Sequence, residues 1–463
     1  MNWGSHVEPA KVLQETILSP RAWSRHASRK PTAAGRMKVV LWSASGVMNA
    51  GAALSFILFC FLGFLLALYL LSLAKRPSKR KAGGPLPRIS ILVPTYNEEG
   101  NIRRCLESIE RSDYPSELCQ LIVIDDASTD GTVAAVRAYR ECHEGAEVRL
   151  LEVPHDGKVG ALNEGLRHAT APLIISVDAD TTLMPDALRA LVEPFADERV
   201  GATNAVVLVE RPKGLLGHCQ TVEYGMNNLI RTSFERVFRS SVWFFGNVAC
   251  FRRSALQSAG SFRADTLTED MDISLALIGA GFAVKTCERA VAYTAARPSI
   301  LSLIRQRMRW YVGALQTLAK HRGMLRKALT PAAVFLYTNQ CWWTIFSFLF
   351  FPLTAFEVRY WWPHGSAMSA LIYTVRWFSL WGPFYVLSKV PEWGVSVLSI
   401  FGVLSGIITL LLSIGGLVRF RVRPYPAMAL ALFFYFPYTI IMNVSIVAGV
   451  LSHPFRKVRY FKN

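Results

Sequence analysis

The chain has 463 residues, 52% hydrophobic and 12% aromatic, with a mean hydropathy of +0.27 and a formal net charge of +18. That is too apolar for an ordinary soluble protein and too charged for a pure membrane bundle, so a soluble domain joined to a membrane domain is expected. The basic residues gather beside apolar stretches and form no stripe with stacking aromatics, which argues against nucleic acid as a partner.

Residues 1–37 carry several basic side chains and no apolar core. They read as a flexible or surface-lying basic arm and do not resemble a signal peptide. An N-terminal membrane segment is expected over 38–74, because 50–73 contains no Asp, Glu, Lys or Arg and is long enough to span as a helix. A basic, Pro/Gly-rich linker follows at 75–87.

Strand and helix signals then alternate. Residues 89–94 form an apolar run ending in Pro94-Thr95-Tyr96-Asn97, and 101–109 has helical spacing. Residues 120–125 are a second apolar run, closed by Asp125-Asp126-Ala127-Ser128-Thr129-Asp130-Gly131. Residues 133–142 read as a helix, 148–153 as a strand, 160–168 as a helix, 173–178 as a strand, and a further helix starts at Pro185. This alternation predicts a parallel sheet covered on both faces, with ligands at its carboxyl edge. Beyond residue 200 the reading is strands at 200–209 and 242–251, a long helix at 215–238 and a helix at 268–277. An amphipathic helix at 300–318, with Arg305, Arg307 and Arg309 among apolar residues, is expected to lie in the membrane interface. The windows 333–354, 395–417 and 428–450 are also free of charge, and 366–388 is apolar apart from Arg376. The eight cysteines (Cys60, Cys105, Cys119, Cys142, Cys219, Cys250, Cys287 and Cys341) include no C-x-x-C pair and are expected to be free thiols.

Several short motifs carry chemistry. Asp125 and Asp126 at a strand end suit a base edge or ribose hydroxyls, whereas Asp130 reads as a helix cap. Lys158, in Gly157-Lys158-Val159-Gly160 just before a helix, suits phosphate, although an isolated lysine there is more often a solvated one. Asp178 and Asp180 flank Ala179 where an apolar strand ends, an arrangement for a hard divalent cation that already carries a diphosphate. Thr268-Glu269-Asp270 opens a helix. Thr268 reads as a cap, but with Asp272 the cluster holds more charge than capping needs, and one carboxylate can act as a general base. Gln306-Arg307-Met308-Arg309-Trp310 offers planar donors for diphosphate and a flat face for a sugar ring, and interfacial anchoring explains the same residues.

Taken in order, the D-D, G-K, D-A-D, T-E-D and Q-R-M-R-W motifs followed by spans resemble the membrane-embedded, processive family-2 glycosyltransferases. That group includes cellulose, chitin, hyaluronan and poly-N-acetylglucosamine synthases. The run from Phe251-Arg252-Arg253-Ser254 through Thr268-Glu269-Asp270-Met271-Asp272, with Val222-Glu223-Tyr224 upstream, most resembles the bacterial poly-N-acetylglucosamine synthases. The resemblance covers roughly residues 88–320. It implies an α/β, GT-A type, Rossmann-like transferase domain at 88–297, inserted between N-terminal and C-terminal transmembrane helices. An interface helix at 298–320, a membrane region at 331–452 and a basic tail at 453–463 complete the expected layout.

The resemblance also implies roles. Thr95, Glu98, Asp125, Asp126, Lys158, Asp178 and Arg309 bind the nucleotide sugar, and Asp180 binds Mg²⁺ or Mn²⁺. Asp270, with Glu269 beside it, is the catalytic base. Gln306, Trp310 and Asn247 meet the acceptor. The expected function is inverting transfer from a UDP-sugar, with UDP-N-acetylglucosamine as the best match, to a β-linked polysaccharide exported across the cell membrane. The catalytic domain is then expected to be cytoplasmic. Expected partners are the UDP-sugar, the growing polysaccharide or a lipid acceptor, membrane lipids, and accessory export or regulatory subunits. Glycosylation of a lipid such as ceramide or diacylglycerol is the alternative. A transporter or scaffold with an inactive domain is a third reading, disfavoured because every expected carboxylate is present. The segment Gly246-Asn247-Val248-Ala249-Cys250 departs from the Phe-Phe-Cys-Gly-Ser-like acceptor segment of cellulose synthases and leaves the acceptor open. Trp342-Trp343 and Trp361-Trp362 suit either a sugar path or an interfacial belt.

Overall fold

A computed structural model describes residues 44–75, 85–142, 148–324, 330–360, 362–363, 366–393 and 397–452. The expected arm at 1–37, most of the linker at 75–87, Trp361 and the tail at 453–463 lie outside the described residues.

The chain enters through α1 (Ala44–Ala74) and then builds an α/β unit. In order this comprises β1 (Ile89–Thr95), α2 (Ile102–Glu110), β2 (Cys119–Asp125), α3 (Thr132–Cys142), β3 (Val148–Glu152), α4 (Gly157–His168) and β4 (Leu173–Val177). It continues with β5 (Thr181–Leu183), α5 (Ala187–Val192), β6 (Val200–Glu210), α6 (Gly214–Phe238), β7 (Val248–Arg252), α7 (Arg253–Ser258), α8 (Glu269–Gly279) and β8 (Ala283–Ala295). The eight strands form one sheet in the order β3-β2-β1-β4-β7-β6-β8-β5.

Strands β3, β2, β1 and β4 are parallel, as the alternation predicts. Beyond them the expectation of a wholly parallel sheet is corrected. Strand β7 runs antiparallel to both β4 and β6, and β5 runs antiparallel to β8. The reversal follows the long excursion through α6, which returns the chain on the opposite course. The expected strand at 242–251 is shorter, with only 248–252 in the sheet. Residues 239–247 are a loop, with Arg239 and Trp243 in the left-handed region at φ 56° and 48°, and it delivers Phe245, Gly246 and Asn247 to the sheet edge. Strand β8 was not anticipated, because Lys285, Glu288 and Arg289 interrupt its apolar residues.

Side chains of β1 alternate between two cores, as a pleated strand requires. Ile89, Ile91 and Val93 pack with Ile102, Leu106 and Ile109 of α2 and with Leu188 and Leu191 of α5. Leu92 joins Ile122, Ile124, Leu162 and Leu166 on the other face. Burial on both sides keeps β1 rigid and holds its carboxyl end in place.

The remaining helices are α9 (Ile300–Lys320), α10 (Pro331–Tyr360), α11 (Ala367–Trp377), α12 (Trp381–Trp393), α13 (Val397–Arg419), α14 (Pro426–Phe433) and α15 (Tyr435–Ser452). Among the described residues, three helices are long and apolar enough to cross a membrane, at 50–74, 400–419 and 435–452. The window 333–354 lies within α10, which contains Pro352. The window 366–388 is two helices of 11 and 13 residues rather than one. The window 428–450 is likewise divided between α14 and α15. Helix α6 belongs to the α/β unit by sequence order, yet Leu229, Ile230 and Phe234 share a core with Leu62, Leu65 and Leu68 of α1 and Ile408 and Leu412 of α13.

Candidate active site

Thr95 and Asp125 end β1 and β2 side by side in register, and both are buried. Ser128 N–H donates to Asp125 Oδ2 at 2.9 Å. Asp125 Oδ1 and Thr95 Oγ1 have no partner. Buried polar atoms are almost always satisfied, so two orphans on adjacent strand ends mark a place for a ligand's polar groups. Asp126 is already engaged, since Asp156 N–H donates to its Oδ1 at 2.8 Å and His155 Nδ1 lies 2.8 Å from its Oδ2. The Tyr96 ring leans over His155 with centroids 4.8 Å apart. Asp130 caps α3 as expected, accepting from Thr132 N–H at 3.0 Å. Glu98 accepts from Asn101 Nδ2 at 2.7 Å. Burial raises its carboxyl, Asn101 works against that, and Asp180 adds to it.

The acidic centre lies at the end of β4. Lys158 Nζ is 2.6 Å from Asp178 Oδ1 and 3.0 Å from Glu269 Oε1, joining β4 to the start of α8. Lys158 stands in the first turn of α4, one residue past its first, and not before the helix as the sequence suggested. Burial pushes the Asp178 carboxyl up to about 7; Lys158 opposes this and Asp180 reinforces it. Asp180 Oδ1 accepts from Thr181 Oγ1 at 3.2 Å.

Glu269 and Asp270 are driven apart. Burial works against the Glu269 charge, but Lys158 and Arg309 outweigh it, and its carboxyl is held below the usual range. Burial and then the Glu269 charge raise Asp270 to about 6, restrained by Lys158 and two amides. Those amides are Met271 N–H and Gly246 N–H, each donating at 2.8 Å. Adjacent carboxyls with separated ionisation are how a site assigns a charged group and a proton acceptor. A side chain at Gly246 would place its Cβ 2.5 Å from Asp270 Cβ, so only glycine permits this approach. Asp178 N–H donates to Asn247 O at 2.8 Å, which ties the loop to the D-A-D segment. Lys158, Ser176, Gly246, Glu269 and Asp270 line one small cavity.

Helix α9 closes the site. Arg309 Nη1 donates to Leu267 O at 3.4 Å and its charge acts on Glu269. Gln306 Oε1 accepts from Arg307 Nη1 at 2.6 Å. The motif over 306–310 included Arg307 with no separate role assigned to it, and none was assigned to Glu223. Arg307 is buried, donates to Glu223 at 3.0 and 2.7 Å, and lies 4.2 Å from the Trp310 ring centroid. The Tyr438 hydroxyl of α15 also donates to Glu223. A signal for Arg307 did exist, because it falls one turn after Leu303, on the side of the helix that also buries Met308. Trp310 packs in a cluster with Tyr224 and Phe245, backed by Arg307.

The donor set can be tested for a metal. Among the described residues no three His, Cys, Asp or Glu side chains converge as a protein cage. Asp178 and Asp180 are two carboxyls at one strand end, and the Asp180 charge adds to the burial that raises Asp178. They fit a hard cation whose coordination is completed by phosphate oxygens and water.

Residues 87–313 match the family model described as "Glycosyltransferase like family 2". The chain is 30% identical over 234 residues to a poly-beta-1,6-N-acetyl-D-glucosamine synthase of Staphylococcus epidermidis, over 50% of this chain and 56% of that one. It is 28% identical over 237 residues to the enzyme of the same name from Staphylococcus aureus (strain MSSA476), over 51% and 56% of the two chains. The match thus spans little more than half the length of these relatives. A mannosyltransferase from Pyrobaculum calidifontis, solved with GDP-Man and Mn2+, superposes with a TM-score of 0.57 at 22% identity. That superposition covers 88% of this chain and 99% of the other and shows a common fold. The fold is accordingly a mixed α/β fold of the GT-A kind, with apolar helices before and after it.

Proposed function

We propose, from the premise that residues 87–313 form a glycosyltransferase domain of family 2, that this chain is an inverting, processive UDP-sugar transferase. UDP-N-acetylglucosamine is its donor, and a β-linked polysaccharide leaves through the chain's own helices. The observation that carries the reading is the split carboxyl pair. Glu269 is held ionised by Lys158 and Arg309, while Asp270 is raised to about 6 beside it. The similarity to poly-N-acetylglucosamine synthases supports the sugar and the polymer.

Thr95 Oγ1 and Asp125 Oδ1 receive the nucleoside, the unpartnered atoms being the ones that need a ligand. Asp126, through His155 and Asp156, positions the wall of that pocket, and Glu98 completes its acidic rim. Asp180, with Asp178, would hold Mg²⁺ or Mn²⁺, which when bound supplies Lewis-acid stabilisation to the diphosphate leaving group. The acceptor sugar rests on Trp310, with Gln306 and Asn247 at its edges. Its hydroxyl gives a proton to Asp270 as its oxygen bonds to the anomeric carbon. The anomeric carbon–diphosphate bond breaks on the far side, and UDP departs toward Lys158 and Arg309. One displacement inverts the centre, and a positioned base contributes on the order of 10²–10⁴-fold. The domain faces the cytoplasm, where UDP-sugars are, and the remaining domain bounds follow the layout read from the sequence.

The test is the product. Full-length protein with UDP-N-acetylglucosamine and Mg²⁺ or Mn²⁺ is expected to give a high-mass product that a β-hexosaminidase degrades. A single lipid-soluble product would replace the polymer with a glycolipid. Absence of UDP release with every donor and acceptor would end the proposal.

A further inference from the structure

Arg231 lies within α6 and is completely buried. Its Nη1 donates to Asn228 Oδ1 at 2.7 Å and its Nη2 to Ala205 O at 3.3 Å, while Nε has no partner. Among the described residues it makes no ion pair. A guanidinium removed from water with no carboxylate in contact destabilises a fold, and an apolar side chain of similar volume would avoid that penalty. The residue type therefore needs a reason beyond packing.

The surroundings supply one. The guanidinium carbon lies 3.8 Å from the centroid of the Phe245 ring. The next residue, Gly246, donates its N–H to Asp270 Oδ2 at 2.8 Å. On its other side Arg231 holds Ala205 O, at the register shift between Ala205 and Val206 in the β6–β8 pairing. Asn228 Nδ2 fastens the far side of that shift through Val207 O at 2.6 Å. Arg231 thus joins a fixed irregularity in the sheet to the turn that meets Asp270. Burial lowers its guanidinium to about 9, and the Asp270 charge opposes that.

We infer that Arg231 is a positioning residue for the reaction proposed above, and the inference rests on that reading. It clamps Phe245 so that Gly246 N–H stays aimed at Asp270, and its charge favours the proton-accepting form of that carboxyl. The other charged groups that face Asp270 are Glu269 on its own helix and Lys158 from α4, with Arg309 from α9 acting through Glu269. Lys158 is already paired with Asp178 and Glu269, whereas Arg231 has no acid in contact.

The experiment measures UDP release against pH, UDP binding by calorimetry and thermal midpoints for full-length Arg231→Met, Arg231→Lys and Phe245→Leu. In Arg231→Met the acidic limb of kcat is expected to move up, so turnover below the old limb falls by more than it does at the plateau, about tenfold for each pH unit the limb moves. UDP binding should stay within about twofold, since the change lies outside the nucleotide pocket. Arg231→Lys keeps the charge and is expected to keep the limb while losing plateau rate. Phe245→Leu should lower the plateau and leave the limb in place. An unmoved limb in Arg231→Met, or a loss uniform with pH that tracks the thermal midpoint, would overturn the inference. Should Arg231→Met not fold, a shifted limb in Arg231→Lys or a wild-type plateau in Phe245→Leu would overturn it equally. A wild-type protein that releases no UDP would sink the underlying reading instead. The Arg231–Asp270 coupling is then read without turnover, from thermal midpoints of Arg231→Met, Asp270→Asn and the double variant. Non-additive midpoints support the inference and additive ones remove it.

Discussion

Asp270 and Glu269 are covalent neighbours whose carboxyls are shifted in opposite directions: burial works against both charges, but Lys158 and Arg309 outweigh it at Glu269, whereas at Asp270 the Glu269 charge adds to it and Lys158 only restrains the rise. In the proposed base role, Asp270, raised to about 6, accepts a proton only above that pH. The kcat profile is therefore expected to rise through a limb near pH 6, and Asp270→Asn should abolish transfer with UDP binding nearly intact. Comparable turnover in that variant would remove Asp270 from the base role. The stability consequence has the opposite sign. A carboxyl raised by folding favours the folded state at low pH, and that contribution is lost as pH rises through the raised value. Asp270→Asn should accordingly melt no lower than wild type at pH 8. The residue types at this site were legible in the sequence, since Asp, Lys and Arg at strand ends and helix starts advertise themselves. What the buried Arg307 holds was not, because Glu223 and Tyr438 come from segments far from α9 in the chain.

At the scale of elements, α6 couples the transferase sheet to the apolar helices. Ser233 Oγ donates to Ser72 Oγ of α1 at 3.1 Å. Glu288 of β8 holds both Arg236 of α6, at 2.7 Å, and Arg419 at the end of α13, at 2.5 Å. The helices α6 and α13 cross where Gly225 faces Gly416, the small-residue contact that lets two backbones approach. The crossing is asymmetric. A Cβ at 416 would lie 2.5 Å from Gly225 backbone atoms, whereas a Cβ at 225 finds its nearest neighbour at 3.5 Å. Gly416→Ala is expected to lower the thermal midpoint, at a cost of about 1–3 kcal/mol for overpacking, while Gly225→Ala should be nearly neutral. Equal midpoints for the two variants would show that the crossing relaxes. The sequence placed α6 and α9 to within two residues, because their length and periodicity are local properties. It missed β8, whose charged residues are tolerated only because one side of that strand is open.

At the scale of the whole molecule, the net charge of +18 sits largely at the margins of apolar helices, as expected beside anionic lipid. Cys142, at the end of α3, is an exposed thiol in the transferase domain. With the domain on the cytoplasmic side, a membrane-impermeant maleimide should leave Cys142 unmodified in intact cells and label it after permeabilisation. Labelling without permeabilisation would put the nucleotide-sugar site on the wrong side of the membrane. The sequence anticipated a membrane region but not its subdivision. The window 366–388 breaks at Phe378–Leu380, between α11 and α12, and hydropathy alone does not register such a break.

By itself the sequence determined the class of molecule, the strands β1 to β4 and the carboxylates gathered at their ends. Those follow from apolar runs, periodicity and residue chemistry, all of which act over a few residues. Only the tertiary structure decided that β7 runs back beside β4, that Lys158 bridges Asp178 to Glu269, and that Arg231 stands behind Phe245. Each of these depends on contacts between segments far apart in the chain, where packing and burial, rather than local preference, set the geometry.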